Sequence, residues 1–312
     1  MNFENILEFN LILPYIKNGD FKLGKDVYLC FSPERIDPGN KKYNTSNTPK
    51  IIGGLTPECS KTGEKLYSTI ISEVITVSSP ETAEMVKLLE NTFRAINIGL
   101  ANEVAIMCEK LGVNAWEVID AAATKPFGFM KFSPGPGLGG HCIPIDPYYL
   151  SWKLKTLDYD ARFIKLAGEI NTQMPKHVFD IVSKNLNEEH KALSGSKILV
   201  IGVAYKKDIN DIRESPSIDI IELLQNAGSK VEYYDPYVPF LEYDNVYLRS
   251  LNKLIDNEIN KFDACLILTD HSNIDYKILI DHSKLIIDTR NVYPHNKSQN
   301  IKRLGEGTRK LK

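Results

Sequence analysis

Hydrophobic residues follow three patterns along the chain, and each pattern predicts a different kind of structure. Over residues 1–75, short apolar runs alternate with polar loops, which is typical of the end of an α/β unit. We expect one strand over Asp26–Ser32, where Pro33 stops the run, and another over Ile51–Gly54. The loop between these strands is rich in Gly, Pro and Asn.

The second pattern is helical. From Thr82 to Leu111 apolar residues recur every three or four positions, and nothing interrupts them before Gly112. About 30 residues in a helix make a rod roughly 45 Å long. We expect a second helix after Asn114, whose side chain can cap it, and a third helical stretch over about 146–190. Such an arrangement is typical of a spine between domains, and spines of this kind often carry a dimer interface.

The third pattern alternates buried strands with helices. Lys197–Val203 is a continuous apolar run of the kind found in buried parallel strands, and Ser217–Ala227 reads as the following helix. Further strands are expected over Val231–Asp235, Phe262–Thr269 and Leu285–Asp288. The chain is therefore predicted to be α/β in three parts. They are an α/β segment over 1–78, a helical central domain over 79–192, and a Rossmann-like doubly wound domain over 193–312.

Composition limits the function further. The 312 residues include 38 Lys and Arg against 40 Asp and Glu, so the net charge of -2 gives no reason to expect nucleic acid or anionic membrane as a partner. No apolar run approaches the length of a membrane span, and the first residues lack the basic start of a secretory signal. The five cysteines are scattered and form no metal-type pairs. We therefore expect a cytoplasmic protein without a bound metal.

The candidate chemistry centres on Cys142. The preceding segment Gly135–Gly140 fits the dinucleotide motif G-x-G-x-x-G, but neither the required strand nor the required helix flanks it. A loop in which glycines let the backbone approach a ligand explains it better. Cys142 is then a candidate nucleophile in that loop, although a lone cysteine is more often a small buried hydrophobe. Lys87 and Asn91 share one helix face, which by itself would be a solvated surface.

Four ordered segments resemble the UDP-glucose/UDP-N-acetylhexosamine 6-dehydrogenase family. They are Ser32–Asn40, Ala83–Asn91 with Ala101–Glu103, Gly135–Asp146, and Gly202–Asp208 with Arg213–Pro216. The family oxidises the C6 alcohol of a nucleotide sugar to a carboxylate with two NAD+ in succession. The resemblance therefore implies NAD as cofactor, a UDP-sugar as substrate, a homodimer, and a place in polysaccharide synthesis.

The resemblance also implies roles for individual residues. Cys142 would take the aldehyde as a thiohemiacetal, which loses hydride to become a thioester that water releases. Lys87 would stabilise alkoxide charge with Asn91 as its partner. Asp146 would assist proton transfer or order the catalytic water, and Glu34 would help hydrolysis. In the binding sites, the resemblance assigns the UDP-sugar to Lys206, Arg290 and Gly139, and NAD to Arg213.

The chain departs from the family pattern in two ways. Ile145 stands where the UDP-glucose branch usually has Lys, so the branch acting on UDP-N-acetylglucosamine or a related N-acetylhexosamine is the closer match. The family's first domain, an NAD-binding unit with its glycine fingerprint, is not in this sequence, so residues 1–78 read as its remnant. We expect an N-terminally truncated form of the enzyme. The alternative is a catalytically incompetent fragment that binds UDP-sugar or dimerises.

Overall fold

The computed structural model describes residues 12, 14–16, 18, 19, 21–37, 39–243, 246–296 and 298–307. The chain forms two compact units. The first consists of residues 1–94 and 145–161, and the second of residues 95–144 and 162–312. The division of the sequence into three parts remains a prediction.

The first unit contains a three-stranded sheet. Strand β1 (Cys30–Phe31) is antiparallel to β2 (Lys50–Gly54), which is parallel to β3 (Val74–Val77). Helix α1 (Pro57–Tyr67) connects β2 to β3, and Thr56 caps its first turn by accepting from the Cys59 amide at 3.2 Å. The strand expected over Asp26–Ser32 is therefore wrong in extent, because only Cys30 and Phe31 of this segment belong to a strand of the sheet.

The long helix predicted from the apolar periodicity is confirmed. Helix α2 covers Pro80–Leu111, two residues longer at its start than the pattern indicated. It ends where Gly112 adopts a positive φ of 73°, a conformation that suits glycine. Asn114 then caps helix α3 (Ala115–Ala122) as expected, accepting from the Trp116 amide at 2.9 Å.

The single helical stretch expected over 146–190 is wrong, because the structure has two helices there. Helix α4 is Asp146–Lys155 and helix α5 is Arg162–Glu188. Between them Asp158 adopts a positive φ of 57°, and the Tyr159 amide donates back to the carbonyl of Leu154 at 3.0 Å. This turn stops α4 without a glycine or proline, so the sequence pattern did not reveal it.

A five-stranded parallel sheet forms the centre of the second unit, with strand order β10-β9-β8-β4-β5. The strands are β4 (Lys197–Ile201), β5 (Lys230–Tyr234), β8 (Ala264–Ile267), β9 (Ile286–Asp288) and β10 (Ile301–Arg303). Helix α6 (Pro216–Asn226) joins β4 to β5. A hairpin, β6 (Phe240–Tyr243) with β7 (Val246–Arg249), and two short helices, α7 (Asp256–Ile259) and α8 (Lys277–His282), complete this part.

The core of the second unit lies on both faces of this sheet. Ile198 and Val200 pack on one face with Ile221 and Leu224 of α6. Leu199 and Ile201 pack on the other face with Leu279 of α8. The α/β class and the parallel sheet predicted for this part are therefore confirmed. Among the described helices none has the length and hydropathy that crossing a bilayer requires.

Candidate active site

The carboxyl ends of β4 and β8 form the point at which the chain changes direction across the sheet. From β4 the chain adds β5 on one side, and it then returns to add β8 on the other side. Crevices at such switch points are where α/β proteins bind ligands. Gly202 follows β4 with a φ of 79°, and a Cβ there would lie 2.5 Å from the carbonyl oxygen of Thr269. The two strand ends can approach this closely only because residue 202 is glycine.

Both cations predicted to hold the UDP-sugar lie at this carboxyl edge. Lys206 is half-buried in the loop between β4 and α6. Arg290 follows β9, and its Nε donates to the carbonyl of Leu268 at 2.6 Å. Burial lowers the pKa of Arg290, while the neighbouring carboxylates of Asp270 and Asp288 act in the opposite direction. The structure thus places Lys206 and Arg290 at one edge of one sheet, and their contact with UDP remains a prediction.

A buried aspartate–histidine pair, which the sequence did not lead us to predict, lies directly beneath this edge. The side chains of Asp235 and His271 are both fully buried, and His271 Nε2 lies 3.0 Å from Asp235 Oδ2. Burial alone would raise the pKa of Asp235, but the hydrogen bonds from His271 and the Val203 amide lower it. A usable signal was present, because each residue closely follows a buried strand, where polar groups meet at the sheet edge.

The glycine loop, defined as residues 135–142, is attached to the two long helices by a buried chain of amides. The Gly135 amide donates to Asn102 Oδ1 at 2.9 Å, and Asn102 Nδ2 donates to Asn171 Oδ1 at 2.9 Å. Asn171 Nδ2 in turn donates to the carbonyl of Ala95 at 3.0 Å. Asn102 and Asn171 are almost completely buried, so water cannot reach their side chains. These hydrogen bonds therefore satisfy amide groups that would otherwise lack a partner.

The glycines of this loop are needed for contact with protein. A Cβ at Gly139 would lie 2.7 Å from the carbonyl oxygen of Glu214 and 2.7 Å from the Cβ of Tyr205. One at Gly135 would lie 2.8 Å from Nη1 of Arg290. The glycine loop therefore packs against the loop after β4 and against Arg290, which is predicted to bind UDP. Contact of Gly139 with the sugar remains a prediction.

Cys142 ends the glycine loop and is half-buried. Its Sγ lies 3.7 Å from Nδ1 of His141, which is exposed. Just before it, the Gly140 amide donates to the carbonyl of Arg213 at 3.1 Å. The Arg213 side chain is exposed and paired with Asp211 at 2.6 Å. Cys142 thus lies in a segment that is hydrogen-bonded to the β4–α6 loop, and that loop also contains Lys206.

The other four cysteines have surroundings that suppress thiolate formation or access. Cys59, Cys108 and Cys265 are buried, and Cys30 is half-buried. Burial raises the pKa of Cys265 to about 11, and burial is also the main cause of the raised pKa of Cys30 and Cys108. The preference for Cys142 as the candidate nucleophile is consistent with these environments.

In the first unit the structure brings together two of the predicted catalytic residues. Asn91 Nδ2 donates to Asp146 Oδ2 at 2.6 Å, and both side chains are buried. Lys87 lies one turn before Asn91 on α2 and is half-buried. A carboxylate fixed by an amide can orient a water or a hydroxyl group.

Glu34 is held by its own loop. Its Oε1 accepts from the amides of Arg35 and Ile36, both at 2.8 Å, and its Oε2 pairs with Lys50 at 3.4 Å. Partial burial acts to raise the pKa of Glu34, but the Ile36 amide and the Lys50 charge outweigh it and lower the pKa. Its predicted role in hydrolysis remains a prediction.

Glu84, one turn before Lys87, is an unusual buried acid. It is 5% exposed, and its Oε1 has no hydrogen-bond partner among the described residues. Burial, and secondly the charge of Glu81, raise the pKa of Glu84 to about 7. The carboxyl group is therefore at least partly protonated at neutral pH.

The described residues do not by themselves build a Rossmann dinucleotide cradle. Gly135–Gly140 lies in irregular backbone between α3 and α4, so it lacks the strand and helix that such a motif needs. Asp235, at the end of the second strand where Rossmann folds place a ribose-binding acid, is buried and bonded to His271. Arg213 remains the one residue that we predict to contact NAD.

Comparison with known proteins matches two segments of the chain to one family. Residues 81–173 match the central domain of the UDP-glucose/GDP-mannose dehydrogenase family, and residues 199–295 match its UDP binding domain. The chain belongs to this dehydrogenase family. The UDP binding match contains Lys206, His271 and Arg290, and the central-domain match contains Cys142.

Individual relatives of the family agree with this assignment. A UDP-N-acetyl-D-mannosamine dehydrogenase of Methanococcus vannielii is 36% identical, over 96% of this chain and 73% of its own length. An NDP-N-acetyl-D-galactosaminuronic acid dehydrogenase of Ralstonia nicotianae is 33% identical, over 86% of this chain and 62% of its own length.

Solved structures of the family have the same fold. That of UDP-D-ManNAc dehydrogenase from Pyrococcus horikoshii has a TM-score of 0.84 at 32% identity, over 97% of this chain and 70% of that chain. That of the UDP-N-acetyl-mannosamine dehydrogenase from S. aureus has a TM-score of 0.77 at 36% identity, over 96% of this chain and 70% of that chain.

Proposed function

We propose that the chain acts as an NAD-dependent UDP-N-acetylhexosamine 6-dehydrogenase, which oxidises the C6 alcohol of the sugar to a carboxylate. One observation carries this proposal. The loop that ends in Cys142 is hydrogen-bonded, through the Gly140 amide and the Arg213 carbonyl, to the loop that contains Lys206. A nucleophile and a phosphate-binding cation are thereby attached to one another by the backbone, as a nucleotide-sugar substrate requires.

Recognition of the substrate is assigned to the carboxyl edge of the sheet. Lys206 and Arg290 would bind the diphosphate, because charge-assisted hydrogen bonds to phosphate are strong and directional. The half-buried position of Arg290 strengthens such a bond, since water screens it less.

The chemistry is assigned, as the family resemblance implies, to Cys142, Lys87, Asn91, Asp146 and Glu34. The Cys142 thiolate adds to the C6 aldehyde and forms a C–S bond, which gives a thiohemiacetal whose oxygen takes a proton. The family's cofactor, NAD+, would supply the hydride acceptor for two oxidations in succession, of the alcohol to the aldehyde and of the thiohemiacetal to the thioester. Lys87 and Asn91 would stabilise the oxyanion, and Asp146 would hold the water that cleaves the thioester and releases the Cys142 thiol. Glu34 would assist that hydrolysis.

The sugar is proposed to carry an N-acetyl group. The relatives described above are named for N-acetyl-mannosamine and N-acetyl-galactosaminuronic acid, and Ile145 also favours this branch. UDP-N-acetyl-D-mannosamine and UDP-N-acetylglucosamine differ only at C2, so both belong in the test.

We also propose a homodimer. Helix α2 exposes an apolar stripe made of Met85, Leu89, Phe93, Leu100, Met107 and Leu111. Exposed contiguous apolar surface on one helix is typical of an interface. The molar mass in solution tests this directly, because a monomer would contradict the proposal.

The decisive test of function combines binding with turnover. Calorimetry with UDP and with both UDP-N-acetylhexosamines measures binding, and the absorbance of reduced nicotinamide measures oxidation in the presence of NAD+. We expect Cys142→Ala to abolish any turnover and to leave UDP-sugar binding intact. Binding without turnover would favour the alternative of a UDP-sugar-binding fragment, and absence of binding would overturn both interpretations.

A further inference from the structure

We propose that His271 is a positioning residue for UDP recognition, which acts by fixing the backbone around Lys206. This inference rests on the proposed function, because it assumes that Lys206 binds the diphosphate. His271 does not need to touch the ligand. It is fully buried beneath the carboxyl edge of the sheet, together with Asp235.

The loop that contains Lys206 is fixed at both ends by this one pair. At its start, Asp235 Oδ2 accepts from the Val203 amide at 2.7 Å and from the Ala204 amide at 3.2 Å. At its far end, the Asp208 amide donates to His271 Nδ1 at 3.0 Å. His271 Nε2 is in turn hydrogen-bonded to Asp235 Oδ2 at 3.0 Å, so the two contacts belong to one connected network. Lys206 lies between the two fixed points.

These contacts also determine the protonation of His271. Because Nδ1 accepts a hydrogen bond from a backbone amide, it cannot carry a proton. The proton must then be on Nε2, from which it is donated to Asp235. Only the neutral imidazole with this tautomer satisfies both contacts, so His271 serves as one acceptor and one donor at fixed positions.

The far end of the loop is strained and needs this support. Asp208 has a positive φ of 61°, which residues other than glycine adopt at a cost. Its carboxylate accepts from the Ser272 amide at 2.7 Å and from the Ser272 hydroxyl at 2.7 Å. The hydrogen bonds to His271 and Ser272 together hold the turn that follows Lys206.

The segment after β8 is hydrogen-bonded both to Arg290 and to the loop that contains Lys206, the two residues predicted to bind phosphate. Thr269 Oγ1 donates to the carbonyl of Ala204 at 2.5 Å, and the Leu268 carbonyl accepts from Arg290 Nε at 2.6 Å. Residues 268–272 therefore set the position of Arg290 on one side and of the Lys206 loop on the other. The two phosphates of UDP have a fixed spacing, so this segment acts as a template for that spacing.

Two substitutions separate the two hydrogen bonds of His271. In His271→Asn the side-chain oxygen can occupy the place of Nδ1 and accept from Asp208. In His271→Gln the amide can occupy the place of Nε2 and donate to Asp235, but the Asp208 amide loses its acceptor. With UDP as the calorimetric probe, we expect His271→Gln to lose about fivefold or more in affinity, as for one lost hydrogen bond, and His271→Asn to stay within about twofold.

A double-substitution cycle with Lys206→Ala distinguishes positioning from a general loss of stability. If His271 acts through Lys206, His271→Gln has no further effect on UDP affinity once Lys206 is alanine. Ser272→Ala, at an exposed position, provides a second test of the same loop that does not disturb the core, with an expected loss of affinity that also vanishes in the Lys206→Ala background. Ser229→Ala is the control, because it removes a comparable hydrogen bond to the Leu193 carbonyl (2.8 Å) away from the carboxyl edge.

The outcomes are distinct. Failure of the unsubstituted chain to bind UDP would contradict the proposed function itself. UDP binding that depends on Lys206 but is unchanged by His271→Gln and Ser272→Ala would overturn the positioning role, and so would losses that remain complete in the Lys206→Ala background. If His271→Gln does not fold, Ser272→Ala alone decides between these results.

Discussion

Two buried acids have pKa values that are shifted in opposite directions. One, Asp235, lies at the carboxyl edge of the sheet in the second unit, and the other, Glu84, lies on helix α2 in the first unit. At the edge, Asp235 accepts from His271 and from backbone amides, and its pKa is lowered against the effect of burial. On the helix face, Glu84 has a buried oxygen without a described partner, and its pKa is raised to about 7. Saturated hydrogen bonding makes a rigid support for binding, whereas unsatisfied polar capacity is typical of places where chemistry occurs.

The largest expected effect separates chemistry from binding. Cys142→Ala should lower turnover by roughly a thousandfold or more, because alanine has no thiol with which to form the thioester. UDP affinity should stay unchanged, since the sheet edge does not depend on the thiol. Cys30→Ala, which removes the other half-buried thiol, is the matched control and should leave both values intact. Residual turnover near the original rate in Cys142→Ala would disprove the covalent mechanism.

The next effect tests the binding edge itself. Lys206→Ala and Arg290→Ala should each weaken UDP binding by roughly tenfold to a hundredfold, since each removes a charge-assisted hydrogen bond. Calorimetry measures this change. Lys230→Ala removes the same charge at the opposite, amino edge of the sheet and should have little effect. Equal losses in all three variants would mean that overall charge, and not a built site, attracts the nucleotide.

The third prediction concerns the hydrogen-bonded pair Asn91 and Asp146 in the first unit. Asn91→Ala removes the amide that donates to the buried Asp146, so we expect a loss of about 1–3 kcal/mol in the free energy of unfolding. Urea denaturation measures it, with Asn187→Ala, at an exposed helix position, as the control. A variant as stable as the original chain would show that the hydrogen bond contributes nothing net.

The smallest effect follows from the pKa of Glu84. A carboxyl group whose pKa is higher in the folded state than in the unfolded chain resists ionisation, so stability is full below the unfolded pKa of about 4.5 and decreases as the pH rises through about 7. Glu84→Gln should therefore be more stable than the original chain at pH 8, by about 1–2 kcal/mol, and no more stable at pH 4.

Denaturation at the two pH values provides the measurement. Glu81→Gln, in the first turn of the same helix, removes a charge that also raises the pKa of Glu84, so it should reduce the pH dependence without abolishing it. Identical pH dependence in Glu84→Gln and in the original chain would contradict the raised pKa.

The fold was predictable where one element determines its own pattern. The apolar periodicity of α2 and the continuous apolar run of β4 identified both elements to within two residues. Pairing is a different matter, because the two-residue strand Cys30–Phe31 depends on where β2 lies, which no local pattern contains. The break after α4 was missed because Asp158, rather than a glycine, adopts the positive φ that reverses the chain.

The site was predictable in part for the same reason. Reactive or charged residues within a motif, such as Cys142 and Lys206, could be assigned from the family resemblance. For His271 the preceding buried strand indicated a place at the sheet edge, but its role could not be predicted, because that role depends on contacts with Asp235 and Asp208, 36 and 63 residues away in sequence. Asn102 lies within the segment Ala101–Glu103 that carries the family resemblance, yet its hydrogen bond to Gly135 depends on how the long helices and the loop pack together.

The cysteines differ enough in burial and pKa to allow selective labelling of one thiol. Three cysteines are buried, and a raised pKa disfavours the thiolate of the fourth, Cys30. A maleimide dye or a nitroxide added briefly at neutral pH should therefore label Cys142 first, without engineering a cysteine-free background. Such a probe would report on nucleotide arrival at the sheet edge through the backbone link between Gly140 and Arg213.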